Sequence, residues 1–432
     1  MFTKKTVRDI ELNDKTILVR TDYNVPLNAD GSISSDFRIK QSLPTIHYLI
    51  DHNVKVVICS HLGRPDGKVD PKLSLKPIAN RLAELLEFEV GFVNDCVGAE
   101  VQQAITQLHP RQIVMLENLR FHPEEEANDD NFAAQLAQGI DVFVQDGFGV
   151  THRAHASTEA ITKHLPSVAG LLLEKEVDTI TNVMNNPKKP LAAVIGGAKI
   201  ADKIDVLHKF IDIADFIAIG GAMANVFLSA QGIDIAKSKS DQQEIPIAKD
   251  IMARAQAANK RLVFYLPQDG VVANSLEASA KTRIVDWSAH VIADIENYPR
   301  QPAENTRQIS ADEMILDIGP FSGAFIAGSL QLAETVVWNG TLGVTETSGQ
   351  QGPVGPFAHG TELLIEAMTG QFGRRPFSLV GGGDTVGYIE TRKLTDSFDH
   401  VSTGGGASLE LMAGRVLPGV AALLDKDNSQ DG

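Results

Sequence analysis

Short β-rich runs alternate with longer helical stretches along almost the whole chain, and this alternation constrains the fold more than any other feature. Thr16–Arg20 (TILVR), Lys55–Cys59 (KVVIC), Ile113–Leu116 and residues 141–144 have the apolar, β-branched character of buried strands. Helical patterns fall between them at 40–52, 76–87 and 131–138. The alternation resumes at Leu191–Ile195, Phe216–Ile219, 261–265, 335–338 and 377–380. Continuously apolar strands separated by helices predict parallel sheets covered on both faces, an α/β architecture. One stretch breaks the pattern: 171–186 reads as a helix stopped by Pro187-Lys188-Lys189-Pro190, and a new strand follows. It marks a domain boundary near the middle of a 432-residue chain, a length suited to about two or three domains. No short-period repeat is present, which excludes a solenoid.

Charge and cysteine content narrow the setting. With 39 Lys and Arg against 55 Asp and Glu, the net charge of −16 argues against nucleic acid and anionic membranes as partners. Cys59 and Cys96, both near apolar runs, cannot form a disulfide framework and are expected as buried thiols in a reducing compartment. The N-terminus, MFTKKTVRDIELNDK, has no apolar core after its lysines and does not read as a signal peptide. The longest apolar stretch, 216–230, is interrupted by Gly220, Gly221 and Asn225, short of the roughly 18 apolar residues of a membrane span. Asn339-Gly340-Thr341 matches a glycosylation acceptor that would stay unmodified without secretion. The expectation is a soluble, cytoplasmic protein.

Ligands of open α/β sheets bind beyond the carboxyl ends of the strands. In the first half those ends carry Arg20-Thr21-Asp22-Tyr23-Asn24, Ser60-His61-Leu62-Gly63-Arg64-Pro65, Glu117-Asn118-Leu119-Arg120 and Thr151-His152-Arg153-Ala154-His155, and Arg38 opens the first helix. Five arginines and several histidines thus converge on one sheet edge of an acidic protein. Arginine pairs bidentately with phosphate and carboxylate oxygens, so this edge is expected to bind a small, multiply charged anion. In the second half the strand ends are glycine-rich: Gly196-Gly197-Ala198-Lys199, Gly220-Gly221-Ala222, Gly381-Gly382-Gly383-Asp384-Thr385 and Gly404-Gly405-Gly406-Ala407-Ser408. Glycines opening helices let the backbone approach phosphates at a helix N-terminus. Lys199 and Lys203 add charge, and Asp384 suits Mg²⁺, which takes one or two carboxylates plus phosphate oxygens. No P-loop, dinucleotide fingerprint, zinc-protease motif or nucleophile elbow occurs. An anion site in one half and a nucleotide site in the other point to phosphoryl transfer, which rests on positioning and charge neutralisation.

The order and spacing of Asp22-Tyr23-Asn24-Val25-Pro26, Ser60 to Pro65, Glu117 to Phe121, His152-Arg153-Ala154-His155-Ala156-Ser157, Gly196 to Lys199, Trp338-Asn339-Gly340, Gly381 to Thr385 and Ser402 to Ser408 resemble the phosphoglycerate kinase family over essentially the whole chain. The resemblance implies two Rossmann-like lobes, each a mostly parallel sheet flanked by helices, joined by a hinge helix. Residues 1–170 would form the phosphoglycerate-binding lobe, 171–189 the hinge and linker, and 190–407 the nucleotide-binding lobe. The tail 408–432 would pack back on the first lobe. It implies reversible transfer from 1,3-bisphosphoglycerate to MgADP, giving 3-phosphoglycerate and MgATP, by a monomer whose interdomain cleft closes for direct in-line transfer. By position, Asp22, Asn24, Arg38, His61, Arg64, Arg120 and Arg153 resemble the phosphoglycerate site, and Arg38 and Lys199 the catalytic pair. Lys203, Gly221, Asn339, Glu346, Gly382, Gly383, Asp384 and Thr385 resemble the nucleotide site, with Asp384 the Mg²⁺ ligand.

The chain departs from the family pattern in several places. Gln145-Asp146-Gly147-Phe148-Gly149 replaces Asn-Asp-Ala-Phe-Gly, Thr341 replaces the Pro after Trp-Asn-Gly, and Phe321-Ser322 replace Lys-Thr. The Gly/Pro-rich segment 347–359 is several residues longer than the family's connection and reads as a mobile surface loop beside Glu346. Two other readings stand beside the kinase: a binding protein that kept the fold and lost turnover, and an α/β dehydrogenase. ATP formation in a coupled assay separates the first from the kinase, and NADH binding tests the second.

Overall fold

The alternation is realised as two parallel six-stranded sheets. The computed structural model describes residues 2–258, 262–288 and 308–426. The first sheet contains β1 (Thr16–Arg20), β2 (Lys55–Cys59), β3 (Val90–Val93), β4 (Ile113–Leu116), β5 (Val142–Gln145) and β6 (Ser167–Ala169), in the order β3-β4-β2-β1-β5-β6. The second contains β7 (Leu191–Ile195), β8 (Phe216–Ile219), β9 (Val263–Tyr265), β13 (Thr335–Asn339), β14 (Phe377–Gly381) and β15 (His400–Val401), in the order β15-β14-β13-β7-β8-β9. A three-stranded antiparallel sheet of β10 (Asp269–Ala273), β11 (Arg283–Asp286) and β12 (Met314–Ile318) lies in the second half. Every residue of β1, β7 and β13 is buried, as parallel strands covered on both faces require.

The chain divides into two compact units, Met1–Thr181 with Gly406–Gly432, and Asn182–Gly405. The division falls within the helix Leu171–Asn185 rather than at the prolines after it. The final stretch belongs to the first unit: Lys5 N donates to Leu424 O (2.7 Å), Leu424 N to Ser167 O (3.0 Å) and Gly419 N to Thr151 O (2.9 Å). Cys59 and Cys96 are buried and unpaired. Among the described residues no helix is long and apolar enough to cross a membrane.

Both strand orders reverse direction at a central pair. In the first sheet β1 separates β2 from β5; in the second β7 separates β13 from β8. Loops leaving such a pair diverge and open a crevice at the carboxyl edge, the usual ligand position in these folds.

Candidate functional site: two sheet edges, one basic and one glycine-lined

In the first unit, β1 ends on Arg20 and its loop presents Asp22 and Asn24. Arg38 Nη1 donates to Asp22 Oδ2 at 2.5 Å, with Asp22 buried and Arg38 partly exposed. Asn24 Oδ1 accepts from Gly63 N (2.9 Å), while Arg120 Nη1 donates to Gly63 O (2.9 Å), so the two side chains bracket one residue. Asn118 fixes that arrangement by accepting from Leu62 N and Arg120 N and donating to Leu62 O and Leu73 O. Arg120 Nε lies 3.2 Å from Glu126 Oε1 yet makes no hydrogen bond. Arg153 Nε donates to His152 Nε2 (3.2 Å), and Arg64 is exposed. The structure thus links Asp22 to Arg38 and Asn24 to Arg120 through Gly63, and leaves Arg64 free of that network.

Arg20 organises this edge from beneath. Fully buried, it donates from Nε to Ser157 Oγ (2.8 Å), from Nη1 to Thr21 O, and from Nη2 to His61 Nδ1 (3.3 Å). Buried Glu125 lies 3.9 Å from Nη2 and accepts from Ser157 N and Oγ. Burial pushes His61 well below the usual imidazole range, and the neighbouring arginines add to it. A neutral His61 that accepts at Nδ1 carries its proton on Nε2 and offers one donor there. Burial and the surrounding arginines also hold His155 down, to about 4, and lower His152 and Arg120. Arg120 Nε and His155 Nδ1 are buried without a hydrogen bond, with Glu126 Oε1 3.2 Å from the first and Glu125 Oε1 3.9 Å from the second.

In the second unit the β7 and β13 loops touch backbone to backbone. Gly196 N donates to Asn339 O (2.9 Å) and Gly197 N to Thr341 O (3.2 Å). A Cβ on Gly196 would stand 2.1 Å from Thr341 O; one on Gly221, at φ +64°, would stand 2.6 Å from Gly197 N. Lys203 Nζ clasps the two loops through Gly196 O (2.5 Å), Asn339 O (3.1 Å) and Asn339 Oδ1 (2.9 Å). Its pKa falls to about 8 through burial, partly opposed by Asp384 and Asp202. Thr385 is buried and accepts from Gly340 N (2.8 Å). Lys203, Asn339 and Thr385 therefore organise the loops. Lys199 is exposed beyond β7, and Gly382 and Gly383 open the helix Gly383–Thr391 with Asp384 exposed in its first turn.

A cavity of about 450 Å³ opens beside these loops, and Gly221, Glu346 and Asp384 line it with Gly197 and Asp317. Glu346 is exposed on the cavity wall, directly before the long segment 347–359. That segment is held near both ends, where Thr347 Oγ1 donates to Leu276 O (2.9 Å) and Phe357 is fully buried, while residues 350–353 between them are exposed.

Alanine at Gly196 is expected to wedge these loops apart, destabilise the fold by about 1–3 kcal/mol and raise the KM for nucleotide but not for the acid. Urea denaturation and steady-state kinetics check both halves. Asp317, buried and accepting from Ile318 N and Gly360 N (2.9 Å each), is pushed up to about 8 by burial. Its pKa exceeds the unfolded value of about 4, so the unfolded chain loses this proton first. The contribution of Asp317 to stability is therefore complete below about pH 4 and declines as pH rises toward 8, by up to about 1.4 kcal/mol per pH unit. Asp317→Asn should make urea midpoints measured between about pH 5 and pH 8 less pH-dependent.

The family model "Phosphoglycerate kinase" matches residues 7–415. The phosphoglycerate kinase of Moorella thermoacetica is 45% identical over 425 residues, covering 98% of this chain and 100% of that protein. That of Chloroflexus aurantiacus is 45% identical over 428 residues, covering 99% and 100%. The solved phosphoglycerate kinase of Pyrococcus horikoshii aligns with a TM-score of 0.81 at 29% identity, covering 98% of each chain. That of Coxiella burnetii aligns at 0.78 with 34% identity, covering 97% of this chain and 98% of the other. On sequence and fold together, the chain belongs to the phosphoglycerate kinase family.

Proposed function

We propose that this chain transfers a phosphoryl group reversibly between 1,3-bisphosphoglycerate and MgADP, giving 3-phosphoglycerate and MgATP. The observation that carries the reading is the basic edge of the first unit, where Arg38, Arg120 and Arg153 gather with His61 and His155, imidazoles held neutral, and Arg120 Nε is buried without a hydrogen bond. Arg38, Arg64, Arg120 and Arg153 supply the charge that a phosphorylated acid needs, Asp22 holds Arg38, Asn24 holds the Gly63 residue to which Arg120 donates, and His61 donates from Nε2. The glycine-lined cavity takes the nucleotide, with Gly221 and Glu346 on its wall and the helix N-terminus at Gly382 and Gly383 directed to phosphate oxygens.

No general base is required. The attacking group is a carboxylate or an ADP phosphate oxygen, and a carboxylate with pKa near ~4 is ionised at neutral pH. What the migrating group needs is positive charge on its equatorial oxygens, and Arg38 and Lys199 supply it from the two units. They act together when the lobes close for in-line transfer, which also keeps water from the acyl phosphate. Asp384 is an exposed carboxylate on the cavity wall, a donor that suits Mg²⁺ shared with nucleotide oxygens. The bound ion neutralises phosphate charge. The chain works as a cytoplasmic monomer on this reading. A coupled assay for ATP formation from 1,3-bisphosphoglycerate and MgADP tests it: turnover supports the kinase, and ligand binding without turnover would leave only a binding protein.

A further inference from the structure

A second cluster on the first unit has no part in this chemistry. Asp95 and Cys96 follow β3, and His122 follows the loop that presents Arg120. One ligand atom from each, a carboxylate oxygen, Cys96 Sγ and a His122 ring nitrogen, lie within 4.8 Å of one another. A tetrahedral zinc site holds such atoms about 3.3–3.6 Å apart, so the side chains have to turn inward to close on an ion. Asp95 Oδ1 already draws the group together, accepting from Cys96 N (2.7 Å) and lying 2.8 Å from His122 Nε2. The thiol is buried, whereas the Asp95 and His122 side chains are 46% and 30% exposed, so the cluster opens to water on one side.

We propose that Asp95, Cys96 and His122 form a binding site for one zinc-type divalent cation, with water as the fourth ligand. Thiolate, imidazole and carboxylate are the set that borderline-soft cations prefer over Mg²⁺, and three protein ligands leave one position open. On binding, Cys96 releases its proton to solvent and forms the metal–sulfur bond. His122 coordinates through Nε2 and carries its proton on Nδ1, and the metal replaces the bond between His122 and Asp95. The occupied site joins the end of β3 to the loop two residues beyond Arg120.

Co²⁺ titrated into the full chain tests this, because cobalt bound to a thiolate has a near-ultraviolet charge-transfer band that cobalt bound to Asp384 lacks. One equivalent of Co²⁺ should produce the band, and Zn²⁺ should displace it. Cys96→Ser should abolish it, and His122→Gln should weaken binding at least about 10-fold. Cys59→Ser should leave it intact. Absence of the band in the wild-type chain, or a band that survives Cys96→Ser, would overturn the site. If Cys96→Ser fails to fold, the His122→Gln variant, at a partly exposed position, decides: unchanged Co²⁺ affinity overturns the proposal.

Discussion

Alanine at Arg38 is expected to lower kcat by about 100-fold or more while leaving MgATP affinity within about twofold. The guanidinium is held to Asp22 at 2.5 Å and remains partly exposed, so it is oriented yet available to a ligand. In the proposed transfer its charge acts most when the migrating group is bonded fully to neither partner, so the loss is expected on turnover. Arg38→Lys keeps the charge but loses the planar fork, and should recover only part of the rate. Steady-state kinetics in both directions check the split between kcat and KM. A variant with near-normal kcat would remove Arg38 from the transfer step.

The second large effect is expected at Arg20, which bears on no substrate directly. Arg20→Met removes the cation from a fully buried network and leaves Glu125 without it, at a cost of about 3–5 kcal/mol. It also takes the donor from His61 Nδ1, so His61 can no longer be held as the Nε2–H form, and the KM for the acid should rise. Glu125→Gln added to Arg20→Met should restore part of the stability, because the stranded charge is gone. Urea denaturation of the two single variants and the double variant measures this. A double variant less stable than Arg20→Met alone would refute the pairing.

These residues differ in how visible they were before the structure. Asp22, His61, Arg120 and Arg153 stand just past strand ends, where a polar cluster after an apolar run is conspicuous, and the family motifs cover them. Arg20 is equally charged but ends β1 itself, and nothing in TILVR separates a buried organising arginine from a surface one. Glu125 sits among three consecutive glutamates, and only packing distinguishes it. Lys203 has the sequence context of a phosphate ligand; its role as a clasp depends on β7 and β13 being neighbours, a long-range fact.

The fold shows the same contrast. Parallel strands buried on both faces carry a strong local signal, so β1, β2, β4, β7 and β8 were legible to the residue. β3 contains Gly91 and is only partly buried, and β11 alternates exposure, so their pairing comes from tertiary packing rather than local pattern. The net charge of −16 likewise hides a local exception. Screening over about 8 Å at physiological salt lets a basic edge keep its own sign within an acidic protein.

The central claim is that charges from both units act on one migrating phosphoryl group. A kinetic double-mutant cycle between Arg38→Ala and Lys199→Ala tests it most directly. If both residues serve the same transition state, the double variant should be at most about 10-fold slower than the slower single variant. A kcat reduced by the full product of the two single effects would mean independent action and would contradict the account.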